Sequence, residues 1–293
     1  MDRYIASTLL ICGLIADAQG APLEWDWLDE LGPPAQSSLT VNFGADDADG
    51  WSCQFDLSLA GPLYSRFDFS YGESYIESDQ AQLETDYYSL GVTTDPLAEI
   101  AVSAGFEEWG DDEALTIETL WLGFTMNLGD FSVTLMPQQR DIRLQVTEWY
   151  RRRADHVDLE SRDIGLMLDY YAADGWLFHG SYFNYDYSKN ISRLDEDYRV
   201  VYIFPLDTLD LASGLDDYRY SIGIGKLLGE MNIDLAWSRG RSAVDGNYAS
   251  LTSLSLDIPL NDQFSFNLMG GIQDVDYAEE KILFSNIGLS LFW

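Results

Sequence analysis

Apolar residues alternate with polar or small residues along most of the chain from Leu39 to Trp293. This period of two is typical of β-strands that have one apolar and one polar face. The alternation divides into fourteen segments, several of which have about the ten residues that a tilted strand needs to cross a bilayer. One of them, Trp176 to Tyr187, is too aromatic on both sides for its faces to be assigned.

The connections between these segments alternate in length. Tight turns such as Leu128-Gly129-Asp130 are followed by longer polar stretches, among them Trp149 to Ser161 and Ser188 to Leu215. We place Tyr198 to Phe204 inside the second of these stretches, because an additional strand would make the count odd and break the alternation. Short turns on one side and long loops on the other are the pattern of transmembrane barrels.

We therefore predict an all-β fold, a transmembrane antiparallel up-and-down β-barrel of about 14 strands, with 12 strands as the alternative. A soluble β-sandwich would also give each strand one apolar face. The barrel is favoured because closure in lipid leaves no unpaired strand edge.

The seventh segment changes its phase. Its apolar positions are odd at Phe131 and Leu135 but even at Ile142 and Leu144. A β-bulge at Pro137 would absorb the extra residue without the loss of a ladder donor. The bulge predicts that Arg143 lies on the polar face.

The chain ends on an alternating segment that closes with an aromatic pair, Phe292 and Trp293. This ending resembles the C-terminal signal strand of Gram-negative outer-membrane β-barrels. The resemblance implies an outer-membrane location and recognition by the barrel-assembly machinery. The even number of strands predicts that this last strand pairs with Leu39 to Ala45 and closes the barrel. The residues that would carry this assembly signal are Ile287, Leu289, Leu291, Phe292 and Trp293.

The first eighteen residues read as a secretory signal peptide. Arg3 precedes an apolar run from Ile5 to Ile15, and Ala16-Asp17-Ala18 fits a cleavage site. We predict three parts, namely the signal peptide (1–18), a periplasmic or interfacial segment (19–38) and the barrel (39–293). Cleavage would leave Cys53 as the one cysteine, which excludes a disulfide framework and a cysteine metal site.

A net charge of −34 excludes nucleic-acid binding through a basic surface.

If the apolar face of each strand contacts lipid, the opposite face lines a lumen made mostly of Ser, Gly and Thr. Fourteen strands lined by small residues cannot fill their own interior, so we expect water inside. The charged residues predicted to line the pore are Asp56, Arg66, Asp68, Glu107, Arg143, Asp163, Asp169, Arg219, Asp234 and Asp257. Their excess of carboxylates predicts a mild preference for cations.

The size and strand number resemble those of small monomeric porins, over the chain from about Leu39 onward. The resemblance implies a monomer that passes ions and small hydrophilic solutes, with outer-membrane lipid and lipopolysaccharide as neighbours. An alternative is a barrel plugged by its fifth long loop or by Gln19 to Ser38, acting as a scaffold for a partner.

Catalytic chemistry is not expected. The two histidines are His156 and His179. His179 and Ser181 share a strand face in a His-x-Ser arrangement that resembles some outer-membrane lipid A deacylases, but the sequence identifies no acid beside them. An outer-membrane hydrolase is therefore the least favoured interpretation, and no cofactor or metal is predicted.

Overall fold

A computed structural model of the protein describes residues 36–47, 50–77, 82–95, 98–111, 115–148, 153–189, 191, 200–201, 215–243, 246–276 and 281–293. The predicted signal peptide and nearly all of the 19–38 segment lie outside these residues. Within them no helix is long and apolar enough to cross a membrane.

Fourteen long strands form one closed antiparallel sheet, which confirms the predicted barrel and its strand number. Each long strand pairs with the next long strand along the chain, so that β9 pairs with β11, and β1 closes the barrel by pairing with β15. A fifteenth strand, β10, has only two residues and is counted separately. The strands are β1 (Ser38–Asp46), β2 (Trp51–Ala60), β3 (Arg66–Glu77), β4 (Gln82–Thr93), β5 (Ile100–Asp111), β6 (Leu115–Leu128), β7 (Phe131–Glu148), β8 (Arg153–Ala172), β9 (Trp176–Tyr187), β10 (Val200–Val201), β11 (Asp216–Leu228), β12 (Met231–Ser242), β13 (Tyr248–Asn261), β14 (Phe264–Val275) and β15 (Ile282–Phe292).

The two-residue strand β10 is an addition to the barrel. It lies in the fifth long connection and pairs antiparallel with the end of β7, Val200 opposite Glu148. Its position agrees with the assignment of Tyr198 to Phe204 to a loop, because the barrel closes through β8, β9 and β11 without it.

The seam of the barrel joins the two ends of the described chain. Strand β15 pairs with β1, as predicted, and the register runs from Ser38 opposite Phe292 to Asp46 opposite Phe284. Two backbone hydrogen bonds between Ser37 and Trp293, of 3.1 and 3.0 Å, extend this pairing by one residue. A paired seam removes the open edge that a membrane does not tolerate.

Six of the connections lie at one end of the barrel, here called the turn end, and the others, among them the long connection between β9 and β11, lie at the other, the loop end. Two turns at the turn end place glycine in the left-handed region, Gly129 at φ 63° and Gly229 at φ 67°. A side chain is disfavoured at these φ values, and glycine permits the tight reversal between strands.

The two faces of the strands differ as predicted. Large apolar side chains are exposed on the outside, among them Phe43, Leu120 and Ile222, each with 59% of its surface exposed. Polar residues at the alternate positions, such as Gln54, are buried inside the barrel wall. An exposed apolar belt around a closed barrel is the surface that contacts lipid.

The bulge predicted at Pro137 is wrong. The register of β7 against β8 runs without a shift from Phe131 to Glu148. As a result Ile142 and Leu144 face inward and are buried, and Arg143 faces outward with Asp158. The predicted loop from Trp149 to Ser161 is also shorter, because β8 begins at Arg153.

The error has a physical cause. Strands β7 and β8, with 18 and 20 residues, are the longest of the barrel. At their loop ends the outward positions become charged and the inward positions become apolar. A phase change in hydrophobicity therefore marks the level at which a strand leaves the apolar belt, without any change in its register.

Candidate pore lining

The lumen face of each strand is identified by alternation from the exposed apolar face. Nine of the ten charged residues predicted to line the pore lie on the lumen face, and Arg143 does not. The nine are Asp56, Arg66, Asp68, Glu107, Asp163, Asp169, Arg219, Asp234 and Asp257. The arginine that β7 contributes to the interior is Arg140, which is only 6% exposed.

Five of these residues gather near the turn end. Each lies two to four residues from the end of its strand, and together we call them the carboxylate belt. The belt consists of Asp56, Asp68, Asp169, Asp234 and Asp257. Because the strands of a barrel are tilted and staggered together, residues at equal distance from one end form a ring around the lumen.

Neutral groups hold part of this belt in place. Asp56 accepts hydrogen bonds from the Nδ2 atom of Asn42 at 3.2 Å and from the Nε2 atom of Gln54 at 2.7 Å. Asp257 accepts one from Ser265. These donors fix the carboxylates on the wall without neutralising their charge.

Two cationic or titratable groups also reach the belt. Arg66 forms an ion pair with Asp68 at 3.1 Å, in which the two side chains are 15% and 35% exposed. The Nε2 atom of His179 lies 3.0 Å from the Oδ2 atom of Asp234. Asp169 stands directly opposite His179 in the register of β8 and β9. The imidazole therefore lies between two aspartates from different strands.

The sequence did not identify these acids as partners of His179, because Asp234 is 55 positions away and two strands distant. Contact is possible because the intervening strand carries Gly223 at this place. A Cβ atom at Gly223 would overlap the imidazole ring. Ser181, the other half of the His-x-Ser pair, has its Oγ atom 2.7 Å from the Oγ atom of Ser221.

Other large lumen side chains follow the same rule as His179. Trp121 lies over Gly105, its direct partner on β5, and Phe183 lies over Gly165, its partner on β8. A Cβ atom at either glycine would overlap the ring. The glycines therefore let the rings lie flat along the wall, so that the rings do not project across the lumen.

A second charged group, the loop-end network, joins four strands near the loop end. Arg140 pairs with Asp163 at 2.7 Å and donates from Nη2 to the hydroxyl of Tyr187 at 2.9 Å. Tyr187 donates to the backbone carbonyl of Asp216 at 2.8 Å, and the Asp216 carboxylate pairs with Arg219 at 2.7 Å. The network therefore ties β7, β8, β9 and β11 together.

Burial separates this network from the carboxylate belt. The Asp163 side chain is fully buried and that of Arg140 is 8% exposed. Arg140 also lies over the ring of Tyr185, with its Cζ atom 4.2 Å from the ring centroid. Because these buried charges are paired, each is largely neutralised by its partner and has little effect on an ion in the lumen. Their role is therefore in the stability of the barrel wall.

An apolar layer lies above the loop-end network. Six strand residues of β6, β7 and β8 face inward here and are at most 6% exposed. They are Leu115, Ile117, Ile142, Leu144, Val157 and Leu159. Two residues of the fifth long connection, Ile191 at 5% and Leu215 at 0% exposure, are also buried.

Three differences from the predicted lining follow. Arg140 replaces Arg143, Asp216 is added beside Arg219, and His179 joins the belt. The sequence signal for Arg140 was the alternation of Ser132, Thr134, Gln138 and Arg140 along one face, which Met136 alone interrupts. The predicted excess of carboxylates over arginines on the lumen face remains. No metal-binding group of His, Cys, Asp and Glu is found among the described residues.

No protein-family model and no curated protein matches the sequence. Solved structures do match. Outer-membrane expressed OmpT of Vibrio cholerae is 10% identical to this chain, and the match has a TM-score of 0.50 and covers 88% of this chain and 96% of the OmpT chain. An anion-selective porin from Comamonas acidovorans is 8% identical, with 88% and 98% covered and a TM-score of 0.46. A KdgM porin in complex with disordered oligogalacturonate is 8% identical, with 87% and 98% covered and a TM-score of 0.41.

At identities this low the similarity concerns the fold alone. The protein has the fold of outer-membrane β-barrel proteins, and the match covers almost the full length of OmpT. Which solute passes, and with which charge, has to be argued from its own lumen residues.

Proposed function

We propose that this outer-membrane barrel is a porin-like channel through which ions and small hydrophilic solutes diffuse, with a mild preference for cations. The observation that carries the proposal is the carboxylate belt. It places five aspartates around one level of the lumen, where one arginine and one histidine accompany them. A ring of carboxylates lowers the energy of a cation in a pore and raises that of an anion.

The remaining wall supports an open passage. Between the carboxylate belt and the loop-end network the inward residues are mainly small, and the larger rings lie flat over glycines. The buried ion pairs of the loop-end network stiffen the wall at four strands. With short turns on the periplasmic side, as in other such barrels, the belt lies in the periplasmic half of the lumen.

The test combines two measurements on the folded barrel. Single-channel recording in a planar bilayer should give stable open steps, and proteoliposomes should swell in sugars of increasing size up to a sharp cutoff. Heat-unfolded protein serves as the control. Well-folded barrels without steps or swelling would refute an open channel.

One observation favours a second function, a plugged barrel that serves as a scaffold. The inward apolar layer near the loop end is buried, and so are Ile191 and Leu215 of the fifth long connection. A cover over this layer would narrow the outer mouth. Replacing Leu215 with Asp should then increase the single-channel conductance, whereas an already open mouth would give unchanged steps.

A third function, hydrolysis by His179 and Ser181, has less support, and we propose that the protein is not an enzyme. Ser181 forms a hydrogen bond with Ser221, whereas His179 contacts Asp234. His179→Ala should leave any lipase activity of a preparation unchanged.

A further inference from the structure

The outer surface of the barrel carries an asymmetric charge where the apolar belt ends toward the loop end. On strands β3 to β7 acidic residues occupy outward positions just above the belt. They are Glu73, Glu84, Asp86, Glu108, Glu118 and Asp141. On β12 the corresponding positions above Trp237 are basic, and they are Arg239 and Arg241.

The two arginines face outward between aromatic neighbours. Alternation along β12 places Leu235, Trp237, Arg239 and Arg241 on the same outer face. Tyr218 of β11 and Tyr248 of β13 flank Arg241 directly in the register. Their hydroxyl oxygens lie 3.4 Å apart.

Arg239 is positioned by an aromatic ring. Its Cζ atom lies 4.2 Å from the centroid of Tyr248. It forms no ion pair with a carboxylate among the residues that the structure describes. A guanidinium that stacks on a ring keeps the N–H groups at its edge available for an anion. Arg241 pairs with Asp217 at 2.9 Å, but the two side chains remain 41% and 44% exposed.

We propose that Arg239 and Arg241, with the hydroxyls of Tyr218 and Tyr248, bind the phosphate of an outer-leaflet lipid head group. Guanidinium groups are suited to phosphate because they donate two parallel hydrogen bonds. Alternate residues on one strand face are about 7 Å apart, close enough for both arginines to contact one phosphate or two adjacent ones.

The position of the patch selects a lipid over a soluble anion. Arg239 and Arg241 lie on the outside of the barrel, where a dissolved solute in the lumen does not reach them. Directly below them are Trp237 and Leu235, and Leu235 is 48% exposed. The Trp237 ring meets Tyr220 edge to face at 5.5 Å between centroids. An acyl chain would therefore contact the apolar residues while its phosphate reaches the arginines.

The chain offers a matched control on the other side of the barrel. Arg143 of β7 and Arg162 of β8 also face outward near the loop end. Arg143, however, lies 3.5 Å from Asp158. Asp141 and Glu160, which stand opposite each other in the register of β7 and β8, are on the same outer face. These carboxylates compete with a phosphate, so this pair of arginines should bind it weakly.

The test measures binding of diphosphoryl lipid A to the detergent-solubilised barrel by native mass spectrometry. R239Q/R241Q should bind at least roughly tenfold more weakly than wild type, because two hydrogen-bonded charges are lost. R143Q/R162Q should stay within about twofold, because carboxylates on the same outer face compete with the phosphate for these arginines. The single variants R239Q and R241Q should give intermediate losses, which keeps the test independent of how well the double variant folds.

Two further arms identify the ligand. Lipid A without its phosphates should not distinguish wild type from R239Q/R241Q, and inorganic phosphate should not displace diphosphoryl lipid A. Equal losses in both double variants would overturn the proposal, because binding would then follow total charge. Displacement by inorganic phosphate would overturn the lipid as the ligand. Conductance should not change in any variant, so this test is separate from that of the channel.

Discussion

Replacing Asp257 with Asn removes one lumen carboxylate while nearly preserving the size of the side chain. Asp257 lies in the carboxylate belt on β13 and accepts a hydrogen bond from Ser265. An asparagine carbonyl can accept the same bond, so the main change is the loss of one negative charge. The predicted effect is a lower potassium-to-chloride permeability ratio.

The size of the effect follows from distance and screening. For a barrel of this strand number we take about 8 Å from the carboxylate to the pore axis. A monovalent ion on the axis then gains about 0.5 kcal/mol from the carboxylate in water. At 0.1 M KCl, with a Debye length of about 10 Å, roughly 0.2 kcal/mol remains. The cation loses this energy and the anion gains it, so the permeability ratio should fall about twofold.

The assay is the zero-current potential of D257N in a planar bilayer under a KCl gradient. The double variant D56N/D257N should reduce the permeability ratio about fourfold if the two charges act independently. D141N, which removes an exposed acid on the outer face, should leave it unchanged. In 1 M KCl, where the Debye length is about 3 Å, the difference should vanish. Equal effects of D257N and D141N would refute the assignment of selectivity to the belt.

Three further predictions concern the wall, the histidine and the seam. R140Q should lower the free energy of unfolding by about 3 kcal/mol, because it leaves the buried Asp163 carboxylate without its partner. Unfolding in urea, monitored by gel mobility, measures this free energy. An equal loss in R143Q would contradict the prediction. A proton taken up by His179 between about pH 7.5 and about pH 5.5 adds a positive charge beside the carboxylate belt. The potassium-to-chloride permeability ratio should therefore fall on acidification in wild type but not in H179Q. The same fall in H179Q would exclude His179 as its cause. Deleting Phe292–Trp293 should leave expression intact and reduce the heat-resistant barrel in the outer membrane, and normal assembly of that truncation would count against the C-terminal strand as an assembly signal.

The barrel could be predicted from the sequence because most of its strands lie in the apolar belt. There, period-two alternation reports directly which side of each strand faces lipid. The terminal strand is the clearest case, since Ile287, Leu289 and Leu291 are on the outside and the strand pairs with β1 as predicted. The requirement for an even number of strands correctly assigned the region of β10 to a loop.

The same reasoning failed where the strands leave the apolar belt. At the loop ends of β7 and β8 the surroundings change from lipid to water, and the rule that apolar residues face outward reverses. The rule therefore predicts that Ile142 and Leu144 face outward and that Arg143, instead of Arg140, faces the lumen. The strand β9 could not be assigned because its inward rings, such as Phe183, are accommodated by glycines on a neighbouring strand, which no local pattern reveals.

Contacts across several strands were also beyond the sequence. His179 meets Asp234 only because Gly223 on the strand between them lacks a side chain. The loop-end network joins residues of four strands, from Arg140 to Arg219. Neither separation in sequence nor residue type indicates such pairs; closure of the barrel brings them together.

The most direct test of the account is the zero-current potential of the wild-type barrel in a planar bilayer, with concentrated KCl on one side and dilute KCl on the other. The carboxylate belt predicts stable channels in which potassium permeates faster than chloride, so that the dilute side becomes positive. Preferential chloride permeation through those channels would contradict the account.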